Sequence, residues 1–363
     1  MRIGILTFHN ALNYGAVLQA YATQVFLTEM GHDVEIIDYE NPFIKKVYKR
    51  RIKLSPNLKV FLVSIIVFIF NTLKVKAFSR FVQRYLNLSI PIYNEDDLYE
   101  KYDLIFIGSD QVWNPKQTGG FDKYYWGNFK HTCVLAAWAA SSKENAFSED
   151  NIDLVSKYLE NFDFISVREH TLKTQLEKIT MQDMKVLIDP TLMLAKEKWL
   201  HVCHPVPEKK YVLVYAMSEE KMVVEKAKVL AAKRSLNLIV VNPYTNAKIS
   251  RGYKQFISPL SFISYIKKAD AIVTSSFHGT AFSIIFEKDF YCVIKKGESN
   301  QRIESLLETL GLKSRIVDES EERFEKRIIN YEDVGMKRRK EIEKCEEYVC
   351  AIQNNIINAN SLD

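Results

Sequence analysis

The sequence predicts an α/β protein made of two doubly wound, Rossmann-like domains with a C-terminal helical tail. Three observations predict it. Short apolar runs alternate with amphipathic segments along most of the chain. An irregular, proline-containing stretch divides that alternation in two. The last part is a Glu-, Lys- and Arg-rich helical pattern with no strand in it. At 363 residues the chain is too long for one ordinary core. The expected units are 1–195, 205–318 and a tail at 319–363, with a basic–apolar insert at 45–80 in the first.

Arg2–Phe8 reads as a strand, His9–Gly15 as a loop, and Ala16–Met30 as a helix with Val17, Leu18, Tyr21, Val25 and Phe26 on its buried side. Gly31 suits the helix stop, and Val34–Tyr39 is the second strand. A strand–helix–strand opening implies a parallel sheet with a right-handed crossover. Asp103–Gly108, Cys133–Trp138, Phe164–Arg168 and Lys185–Pro190 follow as apolar strands of the kind buried on both faces. Trp199–Lys210, with Pro205 and Pro207, is expected as the linker. Beyond it, strands at Tyr211–Tyr215, Leu238–Asn242, Ala271–Thr274 and Phe290–Ile294 alternate with helices at Glu219–Ser235, Pro259–Lys268 and Gly279–Phe286. Glu319–Asn354 reads as one or two helices.

Composition excludes several classes. A hydrophobic share of 47% with 26% charged residues is that of a globular protein. The net charge of +5 suits anionic partners without requiring nucleic acid, and no nucleic-acid-binding signature is present. Five cysteines occur with no CxxC pair, which fits reduced thiols in a cytoplasm rather than a disulfide framework or zinc knuckle. The opening Met1–Leu6 has the pattern of a buried strand, not of a signal peptide. No HExxH, Walker A, GxSxG or GxGxxG pattern appears, so no metal and no cofactor is expected.

The run Val60–Phe70 is uncharged and strongly apolar, with Lys45, Lys46, Lys49, Arg50, Arg51 and Lys53 before it and Lys74, Lys76 and Arg80 after it. It is too short to span a bilayer as a helix. It fits either a buried helix of the first domain or an apolar element with a basic collar that rests on an anionic membrane.

In open α/β sheets ligands bind beyond the carboxyl ends of the strands, and in a two-domain version the site lies in the cleft between them. Four strand-end loops carry the candidate chemistry. In His9–Gly15, Asn10, Asn13 and Tyr14 suit sugar hydroxyls ahead of a helix N-terminus. In Gly108–Pro115, Asp110, Gln111 and Asn114 offer polar groups, and Trp113 offers a flat face for a sugar ring. These two loops are expected to contact the acceptor. Arg168, at the end of its strand, presents a fork for a phosphate or carboxylate, unless it pairs with Glu169. In Thr274–Ser283, His278 stands at a turn where Gly279 opens a helix, among the hydroxyls of Ser275, Ser276 and Thr280. That combination suits an anion beside a proton-transfer group. Lys295, Lys296 and Arg302 follow in a basic loop near the same cleft.

Phe8–Gln19, Gly108–Pro115, Ser166–Glu169, Leu187–Leu192 and Ser275–Ser283, in that order over about residues 1–315, resemble the polysaccharide pyruvyl transferase family. The resemblance implies a glycosyltransferase-B-like fold, phosphoenolpyruvate as donor and a pyruvate ketal on a sugar as product, with phosphate released. The acceptor is then a surface polysaccharide or its lipid-linked oligosaccharide precursor. The resemblance also implies that Arg168 and His278 match donor-binding and catalytic positions. A basic residue after the histidine is expected too, with Lys295, Lys296 and Arg302 competing for the role. The resulting expectation is a cytoplasmic enzyme, peripheral on the inner face of the membrane if the insert contacts lipid. A nucleotide-sugar glycosyltransferase shares the architecture but lacks an evident ribose-reading carboxylate here. A glycan-binding protein of a membrane assembly complex leaves Arg168 and His278 without a purpose.

Overall fold

The computed structural model describes residues 1–49, 52, 55–98, 100–143, 146–217, 220–247, 250, 252–294, 300–318, 324 and 328–361. Two six-stranded sheets form the frame. The first contains β1 (Arg2–Leu6), β2 (Asp33–Ile36), β3 (Leu104–Asp110), β4 (Val134–Ala140), β5 (Ile165–Val167) and β6 (Met184–Val186), in the order β2-β1-β3-β4-β5-β6. The second contains β7 (Tyr211–Tyr215), β8 (Asn237–Val241), β9 (Tyr253–Lys254), β10 (Ala271–Thr274), β11 (Asp289–Val293) and β12 (Ile316–Val317), in the order β12-β11-β10-β7-β8-β9. Every pairing in both sheets is parallel. The central strands are buried along their length, as β3, β7 and β10 show, because helices cover both faces. Strand order reverses between β1 and β3 in one sheet and between β7 and β10 in the other. Loops diverge at such points and leave a crevice.

The helices of the first unit are α1 (Tyr14–Glu29), α2 (Pro42–Val47), α3 (Leu58–Tyr85), α4 (Pro115–Thr118), α5 (Ile152–Leu159), α6 (His170–Leu176) and α7 (Lys196–Val202). Those of the second are α8 (Glu220–Arg234), α9 (Pro259–Lys268), α10 (Phe277–Ile285) and α11 (Gln301–Thr309). The final helix, α12 (Tyr331–Asn360), begins on the second unit, where the Tyr331 hydroxyl donates to the Lys288 carbonyl. It ends on the first, where the Tyr348 hydroxyl donates to the Ala137 carbonyl at 2.9 Å. Between these points Arg338 donates to the Leu192 and Leu194 carbonyls.

The two sheets share a continuous apolar core. Tyr14 of α1 stacks on Phe262 of α9 at 4.7 Å, and Trp199 of α7 meets Phe282 of α10 edge-on at 4.9 Å. Each such fully buried ring contributes about 2 kcal/mol of transfer free energy, so the lobes are joined by packing as well as by chain. The outer faces of the sheets carry separate cores.

Three expectations change on meeting the structure. The stretch taken as an irregular linker from Trp199 contains α7, because the Trp199 ring is fully buried against both units and its indole N–H donates to the Thr191 carbonyl at 3.2 Å. Helix α10 opens at Phe277 rather than Gly279, with the Ser276 side chain accepting from the Gly279 N–H, so His278 lies in its first turn. The apolar run is part of a helix of 28 residues, long and apolar enough to cross a membrane by length and composition. Only 6% of its most apolar window is buried, which removes the buried-core alternative.

Candidate active site

The reversal points of the two sheets face one another across a cleft. Asn13 after β1 and Asp110 at the end of β3 line one wall, and Met217 after β7 and Ser275 after β10 line the other. The cavity between them has a volume of 730 Å³ and His278 lines it. A second cavity, of 930 Å³, adjoins it. Gln111, Lys116, Ser275, Asn300 and Arg302 line both, so they stand where the two meet.

His278 is held by a short chain of charges. Its Nε2 is 3.6 Å from Asp189 Oδ2, an ion-pair separation just beyond hydrogen-bond reach, and has no hydrogen-bond partner despite being buried. Asp189 follows β6, is fully buried, and accepts from the backbone N–H and hydroxyl of Thr191 at 3.0 and 2.6 Å. Arg168 Nη1 donates to Asp189 Oδ2 at 2.6 Å. Burial works to raise the Asp189 carboxyl, but the charges of His278 and Arg168 and the Thr191 hydroxyl overcome it. They hold the group well below the usual carboxylate range. Asp189 is therefore an anion placed to orient an imidazole and to stabilise its protonated form.

Arg168 does not present its fork to the cleft. Its Nε donates to Glu169 at 3.0 Å, Nη1 to Asp189 and Nη2 to the Ser141 hydroxyl at 2.8 Å, with Asp110 at 3.9 Å. The guanidinium also lies 4.6 Å from the Phe277 ring centroid. Burial would pull its pKa down, but Glu169, Asp189 and Asp110 raise it further, so it is permanently charged. The side chain lines neither cavity. The alternative reading, an Arg168–Glu169 pair, is what the structure holds, and the pair is internal, part of a scaffold beneath His278.

Arg302 brings a guanidinium to the cleft. It is half-buried where the cavities meet and has no hydrogen-bond or ion-pair partner among the described residues. Burial and the nearby Arg168 charge pull its guanidinium below its ordinary value, against Glu169, Asp110 and Asp189. Lys295 and Lys296 lie outside the described residues. Lys74 of α3 adds a buried ammonium to the His278 cavity. It donates to the Pro243 carbonyl, lies 5.3 Å from the Tyr14 ring centroid, and is pulled by burial to about 8.

The other candidates divide between lining and support. Ser275 and Ser276 line the His278 cavity, as do Asn13, Asp110 and Gln111; Asn114 lines the second one. Asp110 holds a left-handed backbone (φ 68°) at the strand end, a conformation that aspartate tolerates better than most residues and that recurs at functional sites. Asn13 also caps α1, and Asn114 caps α4. Trp113 is not a sugar platform. It is fully buried, stacked on Trp126 at 5.0 Å, and its indole N–H donates to the Tyr125 carbonyl. Tyr14 belongs to the core between the lobes, and Asn10 lines neither cavity. Thr280 is buried and donates to the Ser276 carbonyl, and Gly279 is placed for packing, since a Cβ there would fall 2.3 Å from Thr274 Oγ1. Among the described residues no group of three or more His, Cys, Asp or Glu side chains is placed to hold a metal ion.

Two facing parallel α/β units, with a histidine set beside a buried aspartate and an arginine that has no partner among the described residues in the cleft between them, define a two-lobed protein of glycosyltransferase-B-like architecture. The chain belongs to the polysaccharide pyruvyl transferase family, whose sequence model matches residues 13–294. A sequence search of curated proteins finds no match. Among solved structures the chain is similar to UDP-GlcNAc 2-epimerase from Methanocaldococcus jannaschii, at 12% identity over 93% of this chain and 91% of that one, with a TM-score of 0.46. It is also similar to UDP-GlcNAc 2-epimerase from Neisseria meningitidis, at 13% identity over 96% and 93%, TM-score 0.44. A third is MurG of Acinetobacter baumannii, at 11% identity over 97% and 99%, TM-score 0.40.

Proposed function

We propose that the chain transfers the pyruvyl unit of phosphoenolpyruvate to two hydroxyls of a sugar, forming a ketal and releasing phosphate. The observation that carries this is the Arg168–Asp189–His278 chain ending at a cavity that the free guanidinium of Arg302 also lines. The donor bears a phosphate and a carboxylate, and Arg302 with the start of α10 suits such an anion. His278, protonated and steadied by Asp189, gives its proton to the methylene carbon of the enol. One sugar hydroxyl attacks the carbon bearing the phosphate and loses its proton. His278, neutral after its donation, takes that proton; the C–O bond to phosphate breaks, phosphate keeping the electron pair, and the second hydroxyl closes the ketal as its proton passes to the released phosphate. Asp110, Gln111 and Asn13 face the same cavity and suit the acceptor's hydroxyls. Arg168 is a positioning residue, acting through Asp189. The acceptor is a surface polysaccharide or its lipid-linked precursor, met in the cytoplasm.

The test is incubation of the full chain with phosphoenolpyruvate and lipid-linked or soluble oligosaccharides, following phosphate release and the pyruvyl mass gain of the sugar. His278→Ala should lower turnover by roughly two to four orders of magnitude with the fold intact. Near-normal turnover of that variant, or no pyruvylated product from any acceptor while phosphoenolpyruvate fails to bind, would remove the proposal.

A further inference from the structure

We propose that α2 and the first half of α3 form a docking surface for an anionic lipid bilayer, which sets the mouth of the His278 cavity beside the membrane. The inference names where the proposed reaction meets a lipid-linked acceptor, and rests on that reading only for its purpose.

The first observation is apolar exposure. Leu58, Leu62, Val63, Ile69 and Leu73 of α3 point outward with large exposed areas, Leu58 at 69%, and Phe43 and Val47 of α2 are exposed as well. A patch of this extent marks an interaction site. The second is charge. From Asn41 to Asn94 the sequence holds eleven lysines and arginines and no aspartate or glutamate. Among the described residues Lys46, Lys49, Lys59, Lys76 and Arg80 are exposed and unpaired with any carboxylate. An anionic lipid surface complements both features at once. A second copy of the chain would bring the same positive charge against itself.

The third observation is attachment. The second half of α3 is fixed to the protein. Asn71 contacts Thr245, Lys74 donates to the Pro243 carbonyl, Phe70 packs on Phe256 at 5.0 Å, and Phe78 and Phe81 are buried. The stretch Leu58–Ile69 ahead of these contacts rises about 18 Å, short of the ~30 Å hydrocarbon core. The helix therefore lies on the bilayer rather than crossing it. Phe43, Ile44 and Val47 of α2 and the following Tyr48, with Asn71 and Lys74 of α3, line the His278 cavity, so the docked face and the cavity mouth share residues.

The test is co-sedimentation of the full chain with vesicles of phosphatidylcholine alone and of phosphatidylcholine with phosphatidylglycerol, at low and high salt. Binding is expected only to the anionic vesicles and is expected to fall with salt. Leu62→Asp/Ile69→Asp should lower it at least tenfold, and Lys46→Ala/Lys49→Ala roughly tenfold, with thermal unfolding unchanged. The proposal is overturned by no binding to anionic vesicles, equal binding to both kinds, unchanged binding by both variants, or membrane retention that resists alkaline carbonate. A stable dimer in solution that the aspartate substitutions split would assign the face to a second copy instead. If the aspartate variant fails to fold, the lysine variant decides. Pyruvyl transfer to a soluble sugar without vesicles separates this proposal from the one above.

Discussion

Gly15 and His278 meet across the cleft with no room for one more carbon: a Cβ on Gly15 would fall 1.9 Å from the imidazole Nδ1. The contact joins the first turn of α1 to the first turn of α10, and so joins the two lobes at the proposed proton donor. Gly15→Ala is expected to displace the ring and to lower turnover by about 100-fold, the usual scale for a misplacement of about 1 Å. It should also cost about 1–3 kcal/mol of stability through overpacking. That stability cost should vanish in a His278→Ala background, where the ring is gone. A cost that persists there would mean that the glycine serves the helix and not the histidine.

The two arginines should separate in their effects. Arg302→Met is expected to raise the Michaelis constant for the donor by roughly 10- to 100-fold, the worth of a charge-assisted contact, with little change in melting temperature. Arg168→Met is expected to destabilise by about 3–5 kcal/mol, because it removes the guanidinium that pairs with the buried carboxylates of Asp189 and Glu169. Arg168→Lys, if folded, should lower kcat more than it changes donor affinity. Loss of donor affinity at constant kcat would place Arg168 on the donor.

Trp113→Ala is expected to act on folding. Removing a fully buried indole that stacks on Trp126 should cost about 3–5 kcal/mol. At a temperature where the variant is folded, the Michaelis constant for the acceptor should match that of the wild type. A selective rise in that constant would return the residue to the acceptor site.

Lys74 gives a pH signature. Its ordinary pKa of 10.5 is lowered by burial to about 8 in the folded chain. Between those values the unfolded chain holds more protons on this group, so its contribution to stability is lowest below about 8 and rises with pH across the window. A shift of this size corresponds to about 3 kcal/mol. The difference in unfolding free energy between wild type and Lys74→Met should therefore move in favour of the wild type from about pH 7 to about pH 10.5. A flat difference would mean that the ammonium is not held as described.

The sheet frame was legible because parallel strands buried on both faces are short apolar runs, as Leu104–Asp110 and Ala271–Thr274 are. The strand-end loops could be located for the same reason, and His278 and Ser275 were found through them. What each side chain does there depended on direction, which spacing does not carry. Trp113 has the composition of a sugar platform but turns into an aromatic cluster, and Arg168 turns toward three carboxylates. Asp189 was visible as part of the Leu187–Leu192 motif, yet its role needs the distance to His278, a residue of the other lobe. Lys74 read as part of a basic collar, and only the packing of α3 against Pro243 shows it reaching the cleft.

The path of α12 bears on how the chain is assembled on the ribosome. The strands of the first sheet are complete once Val186 has emerged, but the helix that covers the Trp138 and Phe164 side of that sheet follows the whole second unit. Until α12 arrives, Trp138 and Phe164 lack the Tyr348 ring that packs on both. A first lobe lacking that cover is expected to expose apolar surface of the kind that holding chaperones recognise. A ribosome-stalled chain ending shortly after β6 should be protease-sensitive and chaperone-bound, and addition of a peptide with the sequence of α12 should protect it.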